Sequence, residues 1–567
     1  MSQEDDLEQL MSHIGEFGKY QLGQFLLHLL AAFTAGLHML SLVTVAAVPV
    51  HRCYVPEIDN GTSISWNLTE LTQWIPTKED GSLSSCLLSD LDHNSTHSCD
   101  RWVYDDTYYK STRGIEWDFV CDRRWRGALS QSMYMFGVFT GAVTLGSMAD
   151  KYGRKTIFYI SAVLQLVLGT SVAFSTNYVL FLILSFFYGI FGSAGAYIPA
   201  FVLTTEMVGP SKRTVCGITF QAVFAVGVMV VAVWGYLIPN HVTLQMVYGL
   251  HSLVLIGHWW LIDESPRWLW SQGRVKESVK IISKATKING GPSVDEAHFI
   301  SRGSNRSKVS EESASLADMF RTPYMRKKTL NLSLNWFANS LVYYGLSLNT
   351  GSLKGNPYFI LFVMSIVEIP GYILTILILD RTGRRSLICT FMLVGSLACL
   401  STAFIPENKP GVINSVVFLG KFCISSSFAI IYNYSAELFP TVLRNTGLGL
   451  AACAPVSRPP SHHSSPCWTR STSGCRRFCS RRWRSSRASS RCSSLRRWAS
   501  RCRTRSRTGR PSGGATPASR RGAPSGPKRK RKRCTRRRPP SSSFPLTIKI
   551  VPNVLKIKIY IIFYTIK

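Results

Sequence analysis

The sequence predicts an all-α polytopic membrane protein built from two six-helix repeats, with the last two helices missing or replaced. Three observations lead to this prediction: ten long apolar segments, two motifs that recur at nearly one offset, and an abrupt change of composition near residue 455. The chain has 567 residues, 46% of them hydrophobic. That average conceals an apolar region interrupted by a polar insert at 51–127, and an Arg-, Ser- and Pro-rich tail at 455–567.

Ten segments are long and apolar enough to cross a bilayer, which takes about 20 residues of helix. Each is expected to be a helix, because the hydrocarbon core offers no water to backbone groups. The polar N-terminus, residues 1–20, lacks the basic start of a signal peptide. In chain order the predicted spans one to ten are 21–48, 128–149, 157–174, 178–203, 214–238, 245–262, 329–349, 357–379, 386–405 and 411–435.

Basic residues orient these spans, because Lys and Arg collect on the cytosolic side. The basic loops lie at 150–155, 212–213, 263–328 and 380–385, and counting spans places all four on the side of the N-terminus. That side is therefore predicted to be cytosolic, and the insert 51–127 extracellular.

The insert has the composition of an extracellular segment. Its three glycosylation sequons begin at Asn60, Asn67 and Asn94. Its four cysteines are Cys53, Cys86, Cys99 and Cys121. In an oxidising compartment these cysteines are expected to form two disulfides, in any of three pairings; free thiols are the alternative.

Two motifs indicate a duplicated unit. An acid-x-x-Gly-Arg motif begins at Asp150 and at Asp380, 230 residues apart. A Glu-x6-Arg motif begins at Glu206 and at Glu437, 231 residues apart. The chain is therefore divided into a first half at 21–262 and a second half at 329–450, and transporters built from such repeats bind their substrate between the halves.

The repeated charges are predicted to form a cytosolic gate. Asp150 can accept hydrogen bonds from Arg154 and from the N-terminus of a helix in the other half. Arg213 and Arg444 are expected to pair with the two motif glutamates, and breaking this layer would open the cytosolic side. The alternative is that the charges only set topology. The remaining predicted gating residues are Gly153, Glu206, Asp380, Gly383, Arg384 and Glu437.

These residues carry a family resemblance. The segment Gly146-Ser-Met-Ala-Asp150-Lys-Tyr-Gly153-Arg154-Lys155 resembles the loop 2–3 signature of the major facilitator superfamily, which adds Gly146 to the gating set. Asp263-Glu-Ser-Pro-Arg-Trp268 resembles the sugar and organic-ion porters. Trp117-Asp-Phe-Val-Cys121-Asp, Trp336-Phe-Ala-Asn-Ser-Leu-Val-Tyr-Tyr-Gly345 and Ala436-Glu-Leu-Phe-Pro-Thr-Val-Leu-Arg-Asn445 are similar to the organic cation/anion/carnitine transporters.

The resemblance covers about residues 12–450. It implies a multi-pass plasma-membrane protein of twelve spans that moves small organic ions by alternating access. It implies no covalent chemistry, and the sequence shows no nucleophile–base pair, metal cluster or phosphate-binding glycine loop, so an enzyme, a cofactor and a metal are not expected. The partners expected are the organic ion and the bilayer; the sequence does not identify a coupling ion.

Two charged residues inside the predicted spans are candidates for substrate recognition, since charges within a membrane default to function. Glu368 in span eight would attract a cation, and Lys421 in span ten an anion. The alternative is that they pair with each other or with helix dipoles for structure. Anion-type relatives typically have a Lys where this chain has Tyr372, which favours the cation type, and Gly420-Lys421-Phe422 resembles the carnitine branch. An organic anion transporter remains an alternative.

Aromatic side chains are expected to form the rest of the cavity, because ring faces hold quaternary ammonium groups. The resemblance selects Tyr197, Gln221, Phe224, Trp336, Tyr343, Phe428 and Tyr432. In span seven, Trp336, Asn339, Tyr343 and Ser347 share one helix face by spacing, which adds Asn339.

The pattern fails after residue 454. Spans eleven and twelve should begin near 445 and 476, but the sequence there turns to Pro and Arg, and several arginines forbid a span. Residues 455–567 hold 31 of the 65 Lys and Arg and none of the 32 Asp and Glu. A shifted reading frame or a retained intron is the favoured explanation, and the chain as written is then a truncated, inactive form. The alternative is a genuine basic tail that binds nucleic acid or anionic lipid; no nucleic acid is expected to bind the folded part.

Overall fold

The computed structural model describes residues 3–438 except 60–65, 67, 78–82, 91–94, 307–317, 349 and 407. Within these residues, eight helical segments are long and apolar enough to cross a membrane, and they correspond to spans one to five and eight to ten. Span seven is one continuous helix, Pro323–Leu348, and span six is divided into three short helices. The all-α polytopic architecture is confirmed.

The helix bounds follow the predicted spans closely. In the first half they are Lys19–Val45 for span one, Trp125–Tyr152 for two, Arg154–Ser171 for three, Tyr178–Gly189 and Ala196–Met207 for four, Pro210–Leu237 for five, and His241–Leu250, Leu253–Ile256 and His258–Leu261 for six. In the second half they are Pro323–Leu348 for span seven, Pro357–Ile366 and Glu368–Thr382 for eight, Arg384–Ser401 for nine and Pro410–Leu438 for ten.

In spans four and eight, a proline lies four residues beyond an irregular part of the helix. Proline has no N–H to donate to the carbonyl four residues back, and its ring crowds that carbonyl. In span four, Pro199 follows a π-helical turn at Ile190–Gly195. In span eight, Pro370 follows a break after Ile366. Both irregularities flank residues predicted to bind substrate.

The two copies of the acid-x-x-Gly-Arg motif adopt the same backbone. Gly153 ends span two with φ 105° and ψ 145°, and Gly383 ends span eight with φ 83° and ψ 148°. Only glycine adopts these angles without strain. Each glycine also starts the next span at once, so the repeated motif makes the same tight helix junction in both halves.

The halves meet along span five. Gly235 of span five lies against the ring of Tyr358 in span eight, at the end of the bundle that carries the insert, here called the insert side. At the opposite end, here called the motif side, Gly217 of span five lies against the side-chain amide of Asn433 in span ten. Small residues at these crossings allow the helices to approach closely.

The insert is a small disulfide-linked subdomain. Strand His51–Cys53 pairs with Trp102–Tyr104, and Leu87–Asp90 pairs with Ser95–Ser98, both antiparallel. Short helices cover Pro56–Asp59, Leu68–Leu71 and Arg113–Glu116. The disulfides are Cys53–Cys99 and Cys86–Cys121, with Cα–Cα separations of 5.7 and 5.6 Å, which is one of the three pairings that the sequence left open.

Among the described residues, five shorter helices lie on the motif side, and the last of them packs against span seven of the second half. They are Gln3–Ser12, Pro266–Ser271, Val275–Asn289, Glu296–Arg306 and Asp318–Arg321. The first and third of these bury Leu10, Val279 and Ile282 in a shared apolar cluster. Glu8 pairs with Arg267 at 3.0 Å, so the N-terminal helix is fixed to the segment that follows span six.

Several sequence predictions lie outside the described residues. They concern the sequon asparagines Asn60, Asn67 and Asn94, the gating residue Arg444, the start of span eleven and the tail 455–567.

Candidate substrate cavity

A cavity of about 140 Å³ lies between the two halves. Its wall is predominantly apolar and aromatic, and no charged side chain belongs to the part of the wall that the described residues form. The first half contributes Met39, Gln131, Met135, Ser193, Tyr197, Gln221 and Phe224, among others. The second half contributes Trp336, Tyr343, Tyr344, Tyr372, Phe428 and Tyr432, among others.

The aromatic side chains form one connected wall across both halves. The Trp336 ring meets Tyr432 edge-on at 4.5 Å between ring centres and Phe428 at 5.4 Å. Tyr197 of the first half meets Tyr432 at 5.8 Å, so the wall crosses the interface. Trp336 is held by a hydrogen bond from its Nε1 to Ser435 Oγ, 2.9 Å long. Ring faces carry negative potential, so this wall suits an organic cation.

Two glutamines add hydrogen-bonding groups to the cavity. Gln131 of span two and Gln221 of span five both line it. The Gln221 side chain hydrogen-bonds Tyr197, and the Nε2 atom of Gln131 is buried without a hydrogen-bond partner in the described structure. An amide N–H in this state favours a ligand that brings an acceptor oxygen, since an unsatisfied buried donor costs about 1–3 kcal/mol.

Glu368 and Lys421 form an ion pair behind the aromatic wall. A carboxylate oxygen of Glu368 lies 2.9 Å from the Lys421 ammonium, with 1% and 2% of the two side chains exposed. The Tyr372 and Tyr343 hydroxyls donate to Glu368 at 2.6 and 3.1 Å. Lys421 donates to Ser347 Oγ at 2.6 Å and lies 3.2 Å from the centre of the Tyr343 ring. The structure therefore shows the alternative interpretation, in which these two charges pair with each other.

The break in span eight places this acid. Glu368 begins the second helix of the span, directly after the interruption associated with Pro370. Two side chains of the cavity wall, Tyr343 and Tyr372, donate their hydroxyls to this carboxylate. The acid thus contacts the cavity only through the tyrosines in the described structure.

Seven of the ten predicted substrate-binding residues lie together in the wall: Tyr197, Gln221, Phe224, Trp336, Tyr343, Phe428 and Tyr432. Glu368 and Lys421 lie one side-chain layer behind them. Asn339 does not line the cavity, because its side chain donates to the Asn335 carbonyl at 2.9 Å and faces Met392 of span nine. Sequence reasoning missed Gln131, although a polar residue inside an apolar span is a usable signal.

The first-half motif forms a buried charge network on the motif side. Arg154, fully buried, lies 3.3 Å from Asp150 and 3.2 Å from Glu206. Glu264 accepts from the backbone N–H groups of Arg154 and Lys155 at 3.2 and 3.1 Å. Trp268 donates from Nε1 to the Asp150 carbonyl at 2.7 Å. The Asp-Glu-Ser-Pro-Arg-Trp segment thus covers the network.

Glu206 and Arg213 each have a contact of their own. Glu206 forms an ion pair with Arg154, which extends from span three, and Arg213 donates from Nε to the Val208 carbonyl at 3.2 Å. The helix of span four ends at Met207, so the chain turns between Glu206 and Arg213. The pairing of Arg213 with Glu206 stays a prediction.

The second copy repeats the pairing in a more exposed setting. Arg384 lies 3.5 Å from Asp380 and 3.2 Å from Glu437. The Arg384 side chain is 32% exposed, against 0% for Arg154. The segment that would cover this copy, by analogy with 263–268, falls outside the described residues. Gly146, the remaining gating residue, is buried in span two.

The fold and a cavity between two helical repeats define a transporter of the major facilitator class. The family model for "Sugar (and other) transporter" matches residues 94–456. The proton:xylose symporter XylE bound to 6-bromo-6-deoxy-D-glucose has a similar fold, with a TM-score of 0.54 and 14% identity over 77% of this chain and 86% of that one.

Curated relatives narrow the class to a family. The chain is 36% identical over 470 residues to "Organic cation transporter protein" of Drosophila melanogaster, covering 78% of this chain and 84% of the relative. It is 33% identical to "Solute carrier family 22 member 3" of Rattus norvegicus, covering 78% and 84%, and 32% identical to "Organic cation/carnitine transporter 2" of Mus musculus, covering 79% and 84%. The protein belongs to the organic cation/carnitine transporter family of membrane transporters, which are not enzymes.

Proposed function

We propose that this transporter moves small organic cations or zwitterions of the carnitine type across the plasma membrane by alternating access. The observation that carries the proposal is the wall of connected aromatic rings, in which the described residues place no charged side chain. Ring faces hold a quaternary ammonium group, and the amide of Gln131 supplies a donor for an oxygen on the same molecule. A zwitterion such as carnitine offers both groups.

Binding to the purified full chain in lipid nanodiscs tests this proposal. Tritiated tetraethylammonium and L-carnitine are the probes, and benzoate is the probe for the alternative, an anion transporter. Trp336→Leu is expected to weaken binding of both ammonium-bearing probes between about 2-fold and 30-fold, the range for losing one ring face. Trp260→Leu is the control, because Trp260 is 76% exposed at the end of span six. Benzoate binding alone would contradict the proposal.

Glu368 is proposed to be required for cation recognition. Replacing it with Gln removes the carboxylate that orients Tyr343 and Tyr372 and leaves Lys421 without its ion pair. Uptake of tetraethylammonium by cells that express the Glu368→Gln variant of a twelve-span version should fall sharply at an unchanged surface level. Unchanged uptake kinetics would remove Glu368 from the proposed site.

Alternating access is proposed to use the charge layers on the motif side. In this arrangement the motif side is cytosolic, the insert is extracellular and glycosylated at its sequons, and the buried Arg154 network closes the cytosolic side. Glycosidase treatment that shifts the mobility of the protein, together with protease protection of a tag at residue 1, tests the orientation. A tag cleaved from outside intact cells would reverse it.

The tail 455–567 is proposed to result from a shifted reading frame or a retained intron, so that the chain as written does not transport. Sequencing the messenger RNA across the codons for Asn445 to Ser480 is the test. A message that encodes a continued apolar helix after Ala452 supports the proposal. A message that encodes the Arg/Ser run as written contradicts it and favours a genuine basic tail, whose salt-dependent binding to RNA or anionic vesicles is then the next measurement.

A further inference from the structure

The two charged residues that contact the cavity-lining tyrosines in the described part of the chain carry opposite signs. The described cavity wall has no charged side chain, and immediately behind it lie one carboxylate and one ammonium, Glu368 and Lys421, 2.9 Å apart on spans eight and ten. Both are almost fully buried, so solvent screens neither. A molecule in the cavity therefore meets a neutral pair in place of a single charge.

Tyrosines connect this pair to the cavity. Tyr343 and Tyr372 line the cavity and donate their hydroxyls to Glu368. Lys421 faces the ring of Tyr343 at 3.2 Å from its centre and donates to Ser347. One aromatic layer thus separates both charges from a bound molecule, a distance over which the electrostatic effect of an uncancelled charge persists in a buried site.

We propose that Lys421 sets the charge selectivity of the cavity by cancelling Glu368. The inference rests on the proposed function, because it concerns which organic ions the same cavity accepts. With both residues present, the cavity favours molecules of zero net charge that carry an ammonium group, since the rings hold the ammonium and no field opposes the attached carboxylate. Without Lys421, the carboxylate of Glu368 is uncompensated and the cavity favours monovalent cations. Without Glu368, Lys421 makes it favour anions.

The magnitude follows from Coulomb's law. A unit charge about 8 Å from the bound ion, at an effective dielectric constant of about 20, changes the affinity roughly thirtyfold. A net-neutral zwitterion responds much less, because the effects on its two ends oppose each other. The measurable quantity is therefore the ratio of the affinities for a cation and a zwitterion, which does not depend on the fraction of protein that is folded.

The experiment measures binding of tetraethylammonium, L-carnitine and benzoate to the purified full chain in nanodiscs. Lys421→Met is expected to raise the affinity for tetraethylammonium relative to L-carnitine about tenfold or more. Glu368→Gln is expected to lower that ratio and to admit benzoate. The double variant, neutral at both positions, is expected to return the ratio to the wild-type value, and Lys421→Arg is expected to keep it.

The controls separate the possible failures. If neither the wild-type chain nor its twelve-span version binds any of the three probes, the proposed function fails. If it binds them and the ratio is the same in Lys421→Met, this inference is overturned. If Lys421→Met does not fold because it buries an unpaired carboxylate, the double variant provides the test. An affinity ratio of tetraethylammonium to L-carnitine that stays well below the wild-type ratio in the double variant means that Glu368 acts on the ammonium directly. Lys421 then does not set selectivity.

Discussion

Tyr358 of span eight donates a hydrogen bond from its hydroxyl to the carbonyl oxygen of Tyr108 in the insert, over 3.3 Å. Its ring also lies 5.2 Å from that of Tyr109. The insert is otherwise anchored to the first half, where Arg113 donates to the Ala173 carbonyl at 2.8 Å. Tyr358 therefore links the second half to the insert, and its ring occupies the space beside Gly235 of span five.

This contact predicts that Gly235→Ala destabilises the protein. A Cβ at residue 235 would lie 2.8 Å from the Tyr358 ring and 2.9 Å from the Thr44 side chain, so at least one of them must shift. Overpacking of this kind costs about 1–3 kcal/mol. We expect a lower Tm for the purified variant in detergent. Gly23→Ala in span one is the control, because nothing lies within 4 Å of its Cβ position; equal Tm values for the two variants would contradict the prediction.

The repeated motif offers a matched pair of substitutions. Arg154→Ala removes the arginine from the fully buried Glu206 and from Asp150, whose side chain is 11% exposed, and breaking a buried pair costs about 3–5 kcal/mol. Arg384→Ala removes the same interactions at a site where Asp380 is 66% exposed and water replaces them, so about 0–1 kcal/mol is expected. Thermal unfolding of the two variants measures the difference. Similar losses at both sites would show that burial does not distinguish the copies.

Glu368 and Lys421 show how much of the site the sequence could predict. Each is exceptional within its span, so the sequence identified both as important. Whether they pair depends on how spans eight and ten pack, and hydropathy contains no information on that. Glu206 shows a similar limit, because its ion pair with Arg154 depends on how spans three and four pack. The span bounds themselves were predictable, since bilayer thickness fixes their length.

The disulfide pairing shows the same limit. Four cysteines in one insert predicted two bridges, but the pairing depends on which strands meet. His51–Cys53 pairs with Trp102–Tyr104 and brings Cys53 to Cys99. Peptide mapping without reduction is expected to recover Cys53–Cys99 and Cys86–Cys121. Replacing Cys86 and Cys121 together by Ser is expected to cost about 2–4 kcal/mol. Recovery of a different pairing as the major species would refute this structure of the insert.

The last prediction concerns pH and the cover of the Arg154 network. Glu264 follows span six, and burial raises the pKa of its carboxyl, while backbone hydrogen bonds and Arg154 oppose that effect. The folded protein therefore holds this proton more tightly than the unfolded chain does. Its contribution to stability is full below the ordinary pKa of 4.5 and is lost as pH rises through the folded-state pKa. We expect the Tm of the wild type to fall relative to that of Glu264→Gln between about pH 4 and pH 7. Glu277→Gln, half-exposed on the same side, is the control. If the Tm of the wild type instead rises relative to that of Glu264→Gln over this pH range, the hydrogen bonds from Arg154 and Lys155 outweigh burial.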